Sequence, residues 1–262
     1  MTLRQRAHNA HLNGHTEMAK ELYQKLLLQD CIPEDVGNLA SLLVSQNELN
    51  EAIALYEKYL PKWPSNYQLL FNGSNAYIKA GDINKAINLL RIAVSTKPNE
   101  FKAVRKLSTI LLQTNKKQEG INIVEIFCQK NPNQGLAWLE LGVIYFQLNA
   151  KQQALKAFEN GSKILPKHLG LIANRLTLLK DLNQLEKAKT LYDSLGSKEK
   201  EDINIQGAWA GVLLKTDSTE EAANILTVLT TANLTALFCC LKRANGITHN
   251  KSNPIIKAKY SI

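Results

Sequence analysis

The chain has 262 residues, of which 45% are hydrophobic and 21% charged, a composition typical of folded proteins and not of disordered ones. Its 32 basic and 23 acidic residues give a net charge of +9. No apolar run is long enough to span a bilayer, and the first residues lack the apolar core of a secretory signal. The four cysteines have neither a metal-binding spacing nor a disulfide framework, which predicts a reducing, cytoplasmic environment.

The N-terminal residues contain two helical patterns separated by a glycine. The first pattern covers roughly Leu3–Leu12 and is polar, with His8 and His11 three residues apart and His15 beyond the glycine. Imidazoles at such spacings can share a helix face and bind zinc. The glycine breaks the helix before His15, however, and no cysteine or second carboxylate cluster completes a site. We therefore expect no bound metal.

The following segment, 33–134, shows helical patterns with clear start and stop signals. Pro33 begins one helix and is followed by two acidic residues, which are favourable in a first turn. Gly81 supplies the left-handed conformation that ends another helix. Residues 101–134 are the most basic part of this segment, with six lysine and arginine residues against two glutamates.

The stretch 135–166 carries the most regular pattern. Trp138, Leu141 and Tyr145 are three and four residues apart, so they share one face of a helix. A small residue in each of two successive helices lets them pack antiparallel at close range, and a proline ends the second. The remaining positions of the pattern are Gly142, Ala154, Phe158, Gly161 and Pro166.

This pattern recurs at a fixed step along the chain, without insertion or deletion. The small position falls on Ala52, Ala86, Gly120, Ala154, Ala188 and Ala222. The large apolar position falls on Tyr56, Leu90, Val124, Phe158, Tyr192 and Leu226, and the proline on Pro64, Pro98, Pro132 and Pro166. An ordinary helical bundle has no reason to keep a fixed step, so the sequence predicts repeated, stacked helix pairs.

The pattern in 138–166 resembles that of the tetratricopeptide-repeat family, W-x2-L-G-x2-Y…A-x3-F…P. The resemblance implies an all-α fold, a right-handed superhelical solenoid of stacked antiparallel helix pairs. The chain also resembles the repeat arms of bacterial glycosyltransferases and sulfotransferases, which predicts a bacterial protein.

The fixed step also predicts how the chain is organised. Residues 1–32 are expected to form a degenerate N-terminal repeat, because terminal repeats are often atypical. Six units of about 34 residues each, the length of a tetratricopeptide repeat, then cover 33–236. An amphipathic capping helix is expected at 237–246, followed by a basic, flexible tail at 247–262 that contains no acidic residue.

No catalytic pattern is present in the sequence. It lacks a glycine-rich phosphate loop, a G-x-S-x-G motif and a His-Glu-x-x-His motif, so we expect neither an enzyme nor a bound cofactor. Aromatic residues are only 6% of the chain and occupy core positions of the repeats. Stacking platforms for bases are therefore absent, which argues against specific nucleic-acid recognition.

The family resemblance implies a binding groove. In tetratricopeptide-repeat proteins, the first helix of each unit lines a concave surface where ligands bind. The corresponding positions of this chain change from amides through cations to apolar side chains. The expected groove residues are Asn38, Phe71, Asn72, Asn75, Lys102, Arg105, Lys106, Leu139, Val143, Phe146 and Asn174.

The groove is similar in part to two known kinds. Repeat proteins that clamp the acidic tails of heat-shock chaperones use lysine, arginine and asparagine, and Asn72, Lys102 and Lys106 match three of those places. Gly37 and Ser41 stand where the first lysine and asparagine belong. The asparagine ladder in the repeat arm of the enzyme that attaches N-acetylglucosamine to proteins is retained at Asn38, Asn72 and Asn174.

Two functional hypotheses follow. The first is a non-catalytic scaffold that binds a peptide or short helix, with the cations holding acidic groups of the ligand. The second is the substrate-presenting arm, or a truncated relative, of a glycosyltransferase or sulfotransferase. Self-association is a further hypothesis, because solenoids with open ends can stack.

Overall fold

The computed structural model describes residues 1–216 and 218–244, with side chains as far as Thr231. Within those ranges, all regular structure is helical and no strand occurs. The all-α class predicted from the sequence is therefore confirmed. The contacts divide the chain into two compact units, Met1–Asn149 and Ala150–Ile262.

Fifteen α-helices and one short 3-10 turn, Leu60–Lys62, make up the described part of the chain. In the first unit the helices are α1 (Leu3–Leu12), α2 (Thr16–Gln29), α3 (Pro33–Ser45), α4 (Leu49–Tyr59), α5 (Tyr67–Lys79), α6 (Ile83–Thr96), α7 (Phe101–Gln113), α8 (Lys117–Lys130) and α9 (Gly135–Gln147). In the second they are α10 (Lys151–Ile164), α11 (Leu169–Asp181), α12 (Leu185–Asp193), α13 (Ser197–Lys200), α14 (Ile203–Leu213) and α15 (Thr219–Ala244).

The starts of the helices follow the step found in the sequence. Helices that open a pair begin at Pro33, Tyr67, Phe101, Gly135, Leu169 and Ile203, and each start lies one full step after the last. Helices that complete a pair begin at Leu49, Ile83, Lys117, Lys151, Leu185 and Thr219, with the same spacing. The sequence pattern therefore reports the positions of the helices themselves.

A left-handed residue closes the opening helix of most pairs. Gly81 has φ of 83°, as the sequence predicts, and the backbone N–H of Asp82 then donates to the carbonyl of Tyr77 at 2.9 Å. Asparagine tolerates this conformation better than most residues do. The same conformation occurs at Asn47, Asn149 and Asn183, with φ of 65°, 57° and 57°.

The small positions of the pattern mark close approaches between helices. At Gly120 an added Cβ would lie 3.1 Å from the backbone oxygen of Ser108. The buried Ser108 hydroxyl donates to the carbonyl of Gly120 at 2.7 Å, which holds α7 and α8 at this distance. An added methyl group would be crowded here, which agrees with glycine in place of the alanine of the other units.

The C-terminal end differs from the prediction of a separate capping helix at 237–246. Helix α15 is continuous from Thr219 to Ala244, so no helix boundary occurs at residue 236. The second helix of the last pair and most of the predicted cap are thus one element. Residues 245 and 246 and the predicted tail, 247–262, lie outside the described residues.

An ion pair ties the first helix to the third. The Asp35 carboxylate is almost fully buried, and it accepts from Nε and Nη2 of Arg4, both at 3.0 Å. The same Nη2 donates to the carbonyl of Asp30 at 2.8 Å. The hydrogen bond to Asp35 raises the pKa of the Arg4 guanidinium above its usual value. This contact anchors α1, which buries only Ala7 and Ala10.

Replacing Arg4 with methionine is therefore expected to lower the thermal unfolding temperature, because the Asp35 carboxylate would stay buried without a counter-charge. Adding Asp35→Asn to that variant should recover part of the loss, since no charge then remains buried. Arg91→Met is the matched control, because Arg91 pairs with Glu119 at an exposed site and should contribute little. A double variant less stable than Arg4→Met alone would contradict this account.

Candidate functional site

Helix α7 has one buried face and one cationic face. Val104, Leu107 and Leu111 are buried on one side. Lys102 and Arg105 are exposed and Lys106 is half-buried on the other, at spacings of three and four residues. In the part of the chain that the structure describes, no carboxylate forms an ion pair with any of the three. Their charges are free to meet an external anion.

Aromatic rings support the first of these cations. Tyr67 and Phe71 of α5 are stacked, with ring centroids 6.1 Å apart and planes 14° from parallel. The Lys102 ammonium lies 4.8 Å from the centre of the Phe71 ring, and Lys97 lies 5.0 Å from that of Tyr67. The stack therefore carries a cation over each ring.

Phe71 does not have the role expected from its groove position. Its side chain is only 7% exposed and belongs to the buried core between α5, α6 and α7. Lys102 covers part of the ring, so a ligand would meet the ammonium and not the aromatic face. The ring positions the cation instead of contacting the ligand.

The expected amide positions remain accessible on α3 and α5. Asn38, Asn72 and Asn75 are all half-exposed. Gln68 donates through Nε2 to Oδ1 of Asn72 at 3.0 Å, which occupies that acceptor and leaves the Asn72 NH₂ group to donate outward. These amides can therefore contact the backbone of an extended peptide.

The opening helices of the first unit are neighbours. Helix α3 packs on α5, and α7 packs on α9. The contact between Lys102 and Phe71 joins α7 to α5. The amides and the cations thus lie on successive neighbouring helices within Met1–Asn149.

The expected apolar positions lie on α9. Leu139 and Val143 are half-buried, whereas the Phe146 ring is 41% exposed. Their spacings of four and three residues put them on one stripe of the helix. Leu136, one turn earlier, is also exposed. This stripe gives the first unit an apolar contact area beside the cationic helix.

Asn174 lies in the other compact unit, half-exposed on α11. Its neighbour Arg175 was not singled out from the sequence. Arg175 stands one repeat after Leu141, a core position, and its Nε is buried without a hydrogen-bond partner. Burial lowers the pKa of this guanidinium. The sequence could have indicated this residue, because an arginine stands where the repeat pattern requires a leucine.

The histidines near the N-terminus do not form a cluster. Gly14 has φ of 74°, and His15 precedes α2 instead of continuing α1. Within residues 1–216 and 218–244, no three histidine, cysteine, aspartate or glutamate side chains are placed to hold a metal ion. Over the same residues, no helix combines the length and the apolar character that crossing a bilayer requires.

Comparison with known protein families identifies the repeat. Two family models, each described as a tetratricopeptide repeat, match residues 43–111 and 136–168. These two segments of the chain are tetratricopeptide repeats. Neither match is to a catalytic family. No curated protein matches the sequence.

Solved structures share the fold over most of this chain. A tetratricopeptide-repeat protein from Parabacteroides merdae ATCC 43184 is 16% identical, with a TM-score of 0.55 over 87% of this chain and 91% of that one. Pseudomonas aeruginosa pilF is 14% identical, with a TM-score of 0.55 over 81% and 96%. A chain in the structure of Naa15/Naa10 bound to HypK-THB is 17% identical, with a TM-score of 0.51 over 94% and 39%. These likenesses confirm the tetratricopeptide-type fold.

Proposed function

We propose that this tetratricopeptide-repeat chain is a non-catalytic interaction scaffold that binds an extended peptide or short helix carrying acidic residues. The binding surface is formed by α5, α7 and α9 of the first unit. The observation that carries the proposal is the unpaired cationic face of α7, formed by Lys102, Arg105 and Lys106. A cationic face without internal partners is suited to an acidic ligand.

Some other cations of the first unit are neutralised within the protein. Lys20 pairs with Glu48, Lys85 with Glu57 at 2.9 Å, and Arg91 with Glu119 at 2.5 Å. Each of these pairs joins a helix to the helix two positions away along the chain, or, for Glu48, to the residue that precedes that helix. The three cations of α7 form no such pair and lie together on one helix face, and this clustering favours a binding role over a purely solubilising one.

Each part of the proposed surface has a distinct task. The Arg105 guanidinium can hold a carboxylate through two parallel hydrogen bonds. Lys102, already resting on Phe71, loses less side-chain freedom when it pairs. Asn72 and Asn75 offer amide groups to the ligand backbone, and Phe146 offers an apolar contact.

The direct test is a titration of the full chain with a fluorescent peptide that alternates aspartate and leucine, followed by anisotropy. The control peptide replaces each aspartate with lysine. We expect binding of the acidic peptide only, weakening as salt is raised because the exposed charges are screened. Equal affinity for the two peptides, or an affinity independent of salt, would contradict the proposal.

The transferase-arm hypothesis uses a surface that overlaps this one at α5. Asn38 on α3 and Asn72 on α5 retain part of the ladder that presents a peptide to an enzyme, and both are accessible. This hypothesis predicts that a glycosyltransferase or sulfotransferase is captured by the chain from an extract of its own organism. Capture of acidic ligands without such an enzyme favours the free scaffold.

Two further expectations accompany the proposal. A cytoplasmic setting agrees with the free thiols of Cys31 and Cys128, and the bacterial origin rests on the resemblance to bacterial repeat arms. Self-association through the first helix pair agrees with the exposed apolar side chains Leu12, Met18 and Leu28. Sedimentation of the chain at low and high concentration tests the second expectation, and an unchanged monomer mass would exclude it.

A further inference from the structure

The connections between successive helix pairs lie together at one edge of the first unit. In a stack of antiparallel helix pairs, these connections share one edge, and the turns within the pairs share the opposite edge. The connections are 30–32, 60–66, 97–100 and 131–134, and the first four turns within pairs are 13–15, 46–48, 80–82 and 114–116. We call the first of these edges the connection edge. None of the three cations of α7 lies in a connection.

An exposed leucine stands at the connection edge. Leu28, in the last turn of α2, is 86% exposed, which is the highest value among the large hydrophobic side chains that the structure describes. Lys25 lies one turn earlier on the same face of α2 and is also exposed. A single exposed leucine is common on protein surfaces, so its neighbours have to show whether it has a role.

Two further lysines of this edge rest on one aromatic ring. The ammonium groups of Lys58 and Lys62 lie 5.1 and 5.0 Å from the centre of the Tyr59 ring. Both side chains are exposed, and neither forms an ion pair with any residue that the structure describes. The adjacent carboxylate, Glu57, pairs with a different lysine, and residues 58–81 include no acidic residue. This part of the edge is therefore cationic.

The last turns of α2 and α4 lie side by side. Lys20 of α2 pairs with Glu51, in the first turn of α4, at 3.5 Å. Both helices complete a pair, so they run in the same direction and their last turns are also neighbours. Leu26 of α2 and Tyr59 of α4 accordingly belong to one buried cluster, and the half-buried Trp63 packs against it. The exposed leucine and the lysines thus share one region of the surface.

We propose that the connection edge of the first unit binds the surface of a membrane that contains anionic lipids. Lys25, Lys58 and Lys62 pair with the lipid phosphates, and Leu28 enters the boundary between the headgroups and the acyl chains. The indole of Trp63, which stacks on the aromatic ring below the lysines, belongs to a residue type that prefers the same depth. An aliphatic side chain among cations favours a bilayer over a nucleic acid, because a nucleic acid offers it no apolar phase.

The direct test is cosedimentation of the full chain with vesicles. One set of vesicles contains phosphatidylcholine alone, and the other contains phosphatidylcholine mixed equally with phosphatidylglycerol. We expect weak, reversible binding to the mixed vesicles only, and we expect it to decrease as salt is raised because the lysines are exposed. No binding to the mixed vesicles, or equal binding to both sets, would overturn the proposal.

Leu28→Ser separates insertion from charge attraction. We expect about tenfold weaker binding to the mixed vesicles, because an apolar side chain no longer leaves water. Leu12→Ser is the matched control, since Leu12 is 71% exposed at the end of α1, on the opposite edge, and should bind as the parent does. A Leu28→Ser variant that keeps its vesicle binding, whether or not it loses self-association, would contradict the proposal. The same variant should keep its affinity for the acidic peptide, so the two surfaces can be tested separately.

Replacing Lys58 and Lys62 together with glutamine should also weaken vesicle binding by roughly tenfold, because two contacts with lipid phosphates are lost. The control replaces Lys116 and Lys117 with glutamine. Those two lysines are exposed at the opposite edge, where α7 turns into α8, and the net charge changes equally. Equal weakening by both double variants would show attraction by overall charge and would overturn the assignment to the connection edge.

Discussion

Replacing Lys102, Arg105 and Lys106 together with glutamate is expected to weaken binding of the acidic peptide by roughly ten- to hundredfold. Each exposed charge pair contributes up to about 1 kcal/mol, and reversal replaces that attraction with repulsion. The affinity of this variant for the acidic peptide should rise with added salt instead of falling, because salt then screens a repulsion. Anisotropy titrations at low and raised salt measure both effects.

The control for this variant is the same charge reversal at Lys116, Lys117 and Lys130. These three residues belong to the same basic segment but lie at the ends of α8 and not on α7. The two variants change the net charge equally, so a general charge effect would weaken both alike. That outcome would show that the peptide senses overall charge and not the α7 face.

Phe158→Ala and Phe146→Ala are expected to differ strongly in their effect on stability. Phe158 lies on the buried face of α10 and is 1% exposed. Its truncation should lower the free energy of unfolding by about 3–5 kcal/mol. Phe146 is 41% exposed, so its truncation should cost less than about 1 kcal/mol. Urea titrations followed by circular dichroism measure both values.

Peptide affinity should fall in the Phe146→Ala variant and not in the Phe158→Ala variant. Phe146→Ala removes an exposed apolar contact of the proposed surface and should weaken binding several-fold without unfolding the chain. Phe158→Ala should leave affinity unchanged at temperatures where the protein remains folded. A stable Phe146→Ala variant with full affinity would remove the α9 stripe from the binding surface.

The sequence predicts the helix positions well because their signals are local and repeated. The fixed step seen at Ala154 and Phe158 reappears in the first residues of the helices, from Pro33 to Thr219. The residues that adopt the left-handed conformation between helices can be predicted only in part. Gly81 is an obvious left-handed residue, whereas Asn47 and Asn149 adopt the same conformation with a less specific residue type.

Side-chain contacts are less accessible from the sequence. Phe71 has the spacing of a groove residue, yet Tyr67 stacks on it and Lys102 covers it, so it is buried. The spacing of residues predicts which helix face a side chain occupies, but not which neighbouring side chain covers it. The ion pair of Arg4 with Asp35 likewise cannot be predicted, because the two residues are 31 positions apart and Arg4 belongs to the atypical first repeat.

The C-terminal boundary shows a different limit. The apolar pattern after residue 236 correctly indicates a helix, but it contains no stop signal that separates this helix from the preceding one. No glycine or proline lies between Thr219 and Ala244, and α15 is accordingly continuous. A repeat boundary defined by counting is therefore not always a helix boundary.

Paramagnetic relaxation tests the binding surface most directly. An acidic peptide with a terminal nitroxide label is added to the ¹⁵N-labelled full chain, and the loss of amide signal is recorded residue by residue. We expect the loss to be concentrated on α5 and α7, around Asn72 and Lys102, and to be absent with the lysine-substituted peptide. Signal loss confined to α4, α6 and α8, or spread evenly over the chain, would contradict it.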